Sequence, residues 1–112
     1  ELVHTASCHD DNLRLVLEAL RGVIAETSIS RYYRNMDHKI AGKTGTAEVA
    51  NKGDYAWFIG YGPYESPDYL VAMIVEQGGG GGTAAAPAVR QIFGDIFDEP
   101  MGEIEIEVDN TR

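Results

Sequence analysis

Residues 40–48 read Ile-Ala-Gly-Lys-Thr-Gly-Thr-Ala-Glu, and this stretch is expected to form a β-strand. Because side chains alternate faces along a strand, Thr44 and Thr46 present their hydroxyls together while Lys43 leaves on the other side. An ammonium and two hydroxyls this close together suit an anion. Gly45 has no Cβ, so the backbone of an extended ligand can approach its N–H and C=O groups. The pattern therefore predicts a strand that binds an extended, anionic peptide.

Three strands are predicted in all, over residues 38–49, 55–61 and 69–76, with turn-forming residues between them. Consecutive strands joined by short turns form an antiparallel meander. Residues 70–75 are apolar at every position, which is expected for a strand covered on both faces. As the last strand of the meander, it also has an unpaired edge unless another segment fills it.

Two helices flank the predicted strands. The first follows the N-cap candidates Asp10, Asp11 and Asn12, and its apolar face consists of Leu13, Val16, Leu17, Leu20 and Ile24. Residues 26–36 lack clean periodicity and are predicted as a surface connection. The second helix starts between Thr83 and Pro87, and its predicted buried residues are Val89, Ile92, Phe93, Ile96 and Phe97. The fold class is α/β of the α+β type: a three-stranded antiparallel sheet with flanking helices packed on one face.

Composition limits the possible partners. The net charge of −9 argues against nucleic-acid binding, because such binding relies on clustered Lys and Arg that neutralise the phosphates. An anionic substrate then needs a local positive site, which predicts a buried or half-buried Lys43. Cys8 is the single cysteine, so an internal disulfide is excluded. No apolar run approaches the roughly 18 residues that span a bilayer.

Several other patterns invite a functional interpretation. His4, Cys8, His9 and Asp10 are metal-ligand types, but their spacing matches no standard site and a loose N-terminal stretch is favoured. Residues 31–34, Arg-Tyr-Tyr-Arg, combine basic and aromatic residues as nucleic-acid binders do, yet in an acidic chain an exposed loop is favoured.

The remaining patterns are also weak. Residues 78–82 are all glycine and predict a flexible turn. A phosphate-binding loop is not favoured, because the pattern Gly-x-x-x-x-Gly-Lys does not occur: before Gly42-Lys43 its first position is Asp37. Trp57 and Phe58 suit either a stacking platform or the core, and packing of one of them in the core is favoured. His38 receives no role. Among the acidic residues from 95 to 109, those beyond Pro100 alternate with apolar residues, which fits an edge strand or a mobile acidic tail equally.

Three segments together resemble one known family. Residues 43–46 resemble the Lys-Thr-Gly motif of the penicillin-recognising serine enzymes. Residues 55–63, Tyr-Ala-Trp-Phe-Ile-Gly-Tyr-Gly-Pro, resemble the next strand of a class B penicillin-binding protein, the D,D-transpeptidase that cross-links peptidoglycan. Residues 81–87 resemble the beginning of that family's last helix. The resemblance spans roughly residues 10 to 97, with its segments in the family's order.

Two motifs of that family are missing from the sequence. No Ser precedes a Lys by three positions, and no Ser-x-Asn occurs. In the family both motifs precede Lys-Thr-Gly. The resemblance therefore implies that residues 1–100 are the C-terminal segment of a transpeptidase domain and residues 101–112 an acidic tail. Such a segment supplies one wall of the active site without the nucleophile and is inactive alone.

The resemblance also implies a role for each motif residue. Lys43 and Thr46 are the expected catalytic residues, and Thr44, Gly45 and Thr46 the expected substrate-binding residues. The backbone N–H of Thr46 donates to the oxyanion, an interaction worth on the order of 3 kcal/mol. The hydroxyls of Thr44 and Thr46 are expected to hold the terminal D-alanine carboxylate of the peptide substrate, or the equivalent carboxylate of a β-lactam. Lys43 hydrogen-bonds the serine of Ser-x-Asn.

The implied reaction is cross-linking of cell-wall stem peptides ending in D-Ala-D-Ala through an acyl-serine intermediate, which β-lactams intercept. No cofactor or metal is implied. The expected partners are those peptides, β-lactams and the upstream segment that carries the two missing motifs. The expected location is the outer face of the bacterial cytoplasmic membrane, with an upstream anchor. A serine β-lactamase, a D,D-carboxypeptidase and a non-catalytic penicillin-recognising sensor remain alternatives.

Overall fold

A computed structural model describes residues 1–102 of the chain. Within them, a long helix and a short helix precede three strands, and a single π-helical turn leads into the last helix. The elements are α1 (Asp10–Glu26), α2 (Ser30–Tyr33), β1 (Ala41–Ala47), β2 (Tyr55–Gly62), β3 (Tyr69–Val75), the turn Gly81–Ala85 and α3 (Ala86–Phe97). The predicted acidic tail falls mainly on residues 103–112, which lie outside the described residues.

The three strands form an antiparallel sheet in the order β1-β2-β3. Thr44 lies opposite Phe58, and Phe58 lies opposite Met73, so these three side chains share one face. We call it the covered face. Lys43 lies opposite Ile59, which lies opposite Ala72 on the other face, which we call the open face. The predicted fold class is confirmed.

The core lies between the covered face and the helical elements. Phe58 and Phe93 are fully buried at its centre. Tyr33 stacks on Phe58 with ring centroids 6.2 Å apart, and Phe93 stacks on Phe97 at 6.0 Å. Burying a large apolar side chain of this kind contributes roughly 1.5–3 kcal/mol. The prediction that one of the two adjacent aromatics packs in the core is confirmed for Phe58, whereas Trp57 lies on the open face.

Helix α1 begins one residue earlier than its predicted caps. His9 is the N-cap, and its Nδ1 accepts a hydrogen bond from the backbone N–H of Asp11 at 3.3 Å, so the prediction of Asp or Asn caps is wrong. Of the predicted apolar face, Ile24 is buried, but Leu13 and Val16 remain exposed. The helix lies beside β1 and contacts α2, and Arg21 donates to the carbonyl of Ile40 at 2.7 Å.

The predicted surface connection at residues 26–36 is wrong. It contains α2, and Ile29, Tyr32, Tyr33 and Met36 all lie in the core. The hydroxyl of Tyr33 donates to the carbonyl of Ala86 at 2.7 Å, and burial raises its pKa, which nearby Arg90 opposes. The predicted exposed loop at residues 31–34 is therefore also wrong, because Tyr32 and Tyr33 are buried in the core.

Strand β3 is an edge strand, as predicted, but it is not covered on both faces. Leu70 and Ile74 point to the open face and are 67% and 43% exposed. Val71, Met73 and Val75 pack against the core. Within residues 1–102 no element lies over Leu70 and Ile74, which is why an entirely apolar strand has one exposed side.

Helix α3 buries most of the residues predicted for it. Val89 and Phe93 are fully buried, and Ile92 and Phe97 partly so, but Ile96 is 37% exposed and was wrongly predicted to be buried. The sequence also hides a buried cation, Arg90. Its Nε donates to the carbonyl of Tyr32 at 2.8 Å and its Nη1 to the carbonyl of Glu99 at 2.9 Å.

Candidate functional site

Strand β1 carries the four-residue motif along an edge of the sheet. In the described part of the chain it pairs with β2 alone, so its other edge is open for another backbone. Lys43 and Thr46 are exposed, and Thr44 and Gly45 are half-buried. The motif is therefore accessible along its length.

Lys43 is more exposed than predicted. Its side chain leaves from the open face and its Nζ donates to the carbonyl of Thr44 at 2.8 Å. The expected burial is wrong for residues 1–102, since no element there covers this part of the open face. The long stem nonetheless brings the ammonium back to its own strand, so the cation lies against the backbone of Thr44.

Thr44 and Thr46 lie on the same face, as their alternation predicts. Thr44 is backed by the glycine-rich turn: a Cβ built on Gly82 would lie 4.0 Å from Thr44 Cγ2 and 3.2 Å from Ile29 Cγ2. The turn therefore limits how far Thr44 can move toward the core. Thr46 has more room to reach a ligand because it is exposed.

The glycine run is a packed part of the site, and its prediction as a flexible turn is wrong at residue 81. Gly81 is buried, and a Cβ there would lie 2.2 Å from the carbonyl oxygen of Trp57 and 2.6 Å from that of Gly45. Only glycine lets the turn contact the backbone of β1 and β2 so closely. The run of glycines was a signal for this contact, but it does not say which glycine makes it.

Within residues 1–102 the other candidate ligand residues do not come together in a second site. His4, Cys8, His9 and Asp10 are all exposed, and no group of three or more possible metal ligands lies together within residues 1–102. A cavity of about 140 Å³ between α1 and α2 includes Arg21 and Arg34 in its lining but no residue of β1. The helices of this same part of the chain include none long and apolar enough to cross a membrane.

The described residues thus combine an accessible Lys-Thr-Gly-Thr strand with a glycine turn behind it, and two antiparallel strands and a helix follow. A family model for the penicillin binding protein transpeptidase domain matches residues 3–94. The chain belongs to this family.

Curated relatives agree with the assignment to the transpeptidase family. A peptidoglycan D,D-transpeptidase MrdA from Haemophilus influenzae is 30% identical over an 88-residue alignment, and the match covers 65% of this chain and 14% of the relative. Penicillin-binding protein 3 from Bacillus subtilis is 37% identical over a 68-residue alignment, and the match covers 54% of this chain and 10% of the relative. The chain thus spans about a seventh of the length of the first of these proteins.

Solved structures of transpeptidases are similar over most of the chain. Pseudomonas aeruginosa PBP2, solved in complex with WCK 5153, matches with a TM-score of 0.75 and 28% identity over 95% of this chain and 24% of that one. Penicillin-binding protein A from Mycobacterium tuberculosis, solved as a ceftriaxone acyl-enzyme complex, matches with a TM-score of 0.62 and 30% identity. That match covers 70% of this chain and 19% of the solved one.

Proposed function

We propose that this chain supplies the Lys-Thr-Gly wall of the active site in a peptidoglycan D,D-transpeptidase. The observation that carries the proposal is the placement of the motif on the open edge of β1, in a chain of the transpeptidase family. An open edge can pair with an extended stem peptide, and the adjacent hydroxyls of Thr44 and Thr46 can bind its terminal carboxylate. Lys43 adds the positive charge that an acidic chain otherwise lacks there.

The proposed reaction transfers an acyl group. A serine from the upstream part of the domain attacks the carbonyl of the penultimate D-alanine, the terminal D-alanine leaves, and an amine of a neighbouring stem resolves the ester. The backbone N–H of Thr46 donates to the oxyanion as charge develops on it. Lys43 orients the serine of Ser-x-Asn and stabilises the anion. No cofactor takes part in these steps.

The domain assignment and location belong to the same proposal. Residues 1–100 form the C-terminal segment of the domain, and an upstream segment carries Ser-x-x-Lys and Ser-x-Asn. β-Lactams are the expected inhibitors, consistent with the ceftriaxone and imipenem acyl-enzyme complexes of the similar M. tuberculosis protein. The active site faces outward from the bacterial cytoplasmic membrane, and an upstream anchor holds it there.

The decisive experiment replaces Lys43 in the complete domain and measures acylation by a fluorescent penicillin. Lys43→Ala should slow acylation by about 100-fold or more, a range typical for removal of one preorganised donor. Thr46→Ala should slow it less, because the backbone N–H survives the change. Lys52→Ala is the matched control, since Lys52 is an exposed lysine in the turn between β1 and β2.

Acylation of a folded Lys43→Ala domain at the wild-type rate would refute the role proposed for Lys43. The lifetime of the acyl-enzyme separates the proposal from a β-lactamase: the transpeptidase adduct should persist, whereas rapid turnover of the penicillin would favour a β-lactamase. A persistent adduct in a protein that cannot cross-link stem peptides would favour the sensor.

A further inference from the structure

One carboxylate joins the end of α3 to the residues that precede β1. Glu99, only 15% exposed at its side chain, accepts hydrogen bonds from the backbone N–H of Asp37 at 2.5 Å and of His38 at 3.4 Å. Its second oxygen also lies 2.9 Å from Nδ1 of His38. An ionised carboxylate can only accept hydrogen bonds, so the His38 Nδ1 must carry the hydrogen in this arrangement.

The groups on both sides of this carboxylate are held in place. The His38 ring stacks on Phe97, with centroids 4.2 Å apart and planes within 6°. The backbone N–H of Glu99 donates to the carbonyl of Gly94 at 2.8 Å, and buried Arg90 donates to the carbonyl of Glu99. A Cβ on Gly94 would lie 2.6 Å from that same carbonyl oxygen, so glycine is needed for this approach.

The surroundings keep Glu99 ionised at neutral pH. Burial alone would raise the pKa of its carboxyl, but the hydrogen bonds from His38 and Asp37, with the charge of His38, lower the pKa below its ordinary value of 4.5. Besides the neighbouring carboxyls of residues 37 and 98, the charged or titratable groups around it are His38 before β1, Arg90 on α3, and the Tyr33 phenol of α2 beside Arg90.

The other end of the same helical unit also contacts β1. Gly81, in the turn that leads into α3, lies against the backbone of Gly45. The turn and α3 therefore contact the strand and its approach at two points, at Gly45 and at residues 37–38. Lys43 and Thr44 lie between these two points along the chain, so both contacts constrain the strand that carries the motif.

We propose that Glu99 is a positioning residue for the Lys-Thr-Gly strand: its carboxylate fixes residues 37–38 so that β1 presents Lys43 and Thr46 in one geometry. The inference rests on the function proposed above. Glu99 touches no substrate and acts through the strand. Because misplacement by about 1 Å can cost on the order of 100-fold in rate, partial loosening of the strand should be measurable.

The test compares Glu99→Gln with wild type in the complete domain. Glutamine has nearly the same shape, but its amide NH₂ opposes one of the three donors. We expect the rate constant of acylation by saturating penicillin to fall about tenfold while every molecule is still acylated in the end. Amide exchange at Asp37 and His38 should accelerate, whereas exchange at Phe58 should not. Glu65→Gln, an exposed glutamate between β2 and β3, is the matched control.

Rate and final extent of acylation separate positioning from simple stability. A lower final extent at an unchanged rate constant would mean that Glu99 only keeps molecules folded, and it would overturn the inference, as would wild-type kinetics. His38→Phe offers a second variant, because a phenyl ring can still stack on Phe97 but has neither imidazole nitrogen, so the contact of Nδ1 with Glu99 is lost. It should slow acylation in the same direction but less. A wild-type domain that resists acylation refutes the proposed function and this inference together, whereas an unaffected Glu99→Gln refutes the inference alone.

Discussion

Gly81 is the residue at which the glycine-rich turn meets the motif strand. Its missing Cβ leaves room for the carbonyl oxygens of Trp57 and Gly45, the nearer of which would be 2.2 Å from a methyl group. We expect Gly81→Ala to lower the free energy of unfolding by about 1–3 kcal/mol, as overpacking usually does. Gly80→Ala is the control, because its φ of −84° suits alanine and its nearest neighbour is Thr83 Oγ1 at 3.4 Å. Equal unfolding midpoints in urea for both variants would contradict the close contact.

The loss of stability caused by Glu99→Gln should depend on pH. The pKa of Glu99 is lower in the folded chain than its ordinary value of 4.5. The stabilisation is therefore fully present above the unfolded pKa and is lost as the pH falls through the folded pKa. The difference in unfolding free energy between wild type and Glu99→Gln should be largest near neutral pH and shrink below about pH 4.5. A difference that stays constant down to pH 3 would show that the ionised form is not what stabilises the fold.

Residues of the motif were predictable from the sequence, whereas their supports were not. Alternation along a strand was enough to place Thr44 and Thr46 together and Lys43 apart. The exposure of Lys43 depends on which elements cover the open face, which local spacing does not encode. The roles of Glu99 and Arg90 arise from contacts between residues far apart in sequence. In the sequence alone, Glu99 is one of the acidic residues from 95 to 109 and carries no signal of its role.

Among the elements, β2 and β3 show how differently the two faces of the sheet are buried. Phe58 is fully buried on the covered face, whereas Leu70 of β3 is 67% exposed on the open face. Phe58→Ala should therefore cost about 3–5 kcal/mol in the 112-residue chain, but Leu70→Ser no more than about 0.5 kcal/mol. Chemical unfolding of both variants measures this difference.

The same two substitutions in the complete domain test whether the open face becomes covered there. If upstream residues lie over it, Leu70→Ser should then cost about 2 kcal/mol or more, since a buried polar replacement loses apolar contact. Phe58→Ala acts as the internal reference because Phe58 is already buried. A Leu70→Ser cost as small in the domain as in the chain alone would mean that this face stays open.

The sequence predicted elements with strong periodicity and missed the one held by long-range packing. The strands follow from apolar runs between turn residues, and α1 and α3 from helical spacing. Helix α2 has only four residues and is held by the packing of Tyr32 and Tyr33 in the core. So short a helix shows no helical periodicity in the sequence. The apolar run of β3 predicted that both faces of the strand are covered. The run does not indicate which segment covers each face, and within residues 1–102 only one face is covered.

At the scale of the whole molecule, the sheet has two features that single domains usually avoid. Both outer strands have an unpaired edge within residues 1–102, and the open face exposes Trp57, Ile59, Leu70 and Ile74. Exposed apolar patches and bare strand edges favour association. The chain also lacks Ser-x-x-Lys, the motif that carries the serine nucleophile in penicillin-binding proteins.

The 112-residue chain on its own should therefore associate and remain unacylated. Native mass spectrometry should detect dimers or larger species at micromolar concentration, and amide exchange across residues 70–75 should slow as the concentration rises, because pairing of the β3 edge protects its N–H groups. A fluorescent penicillin should form no covalent adduct. The Leu70→Lys variant is the control for association through this strand, since a charge on an edge opposes pairing. A stable monomer with β3 fully protected would place the edge elsewhere, and a covalent adduct on the purified chain would show that it carries its own nucleophile.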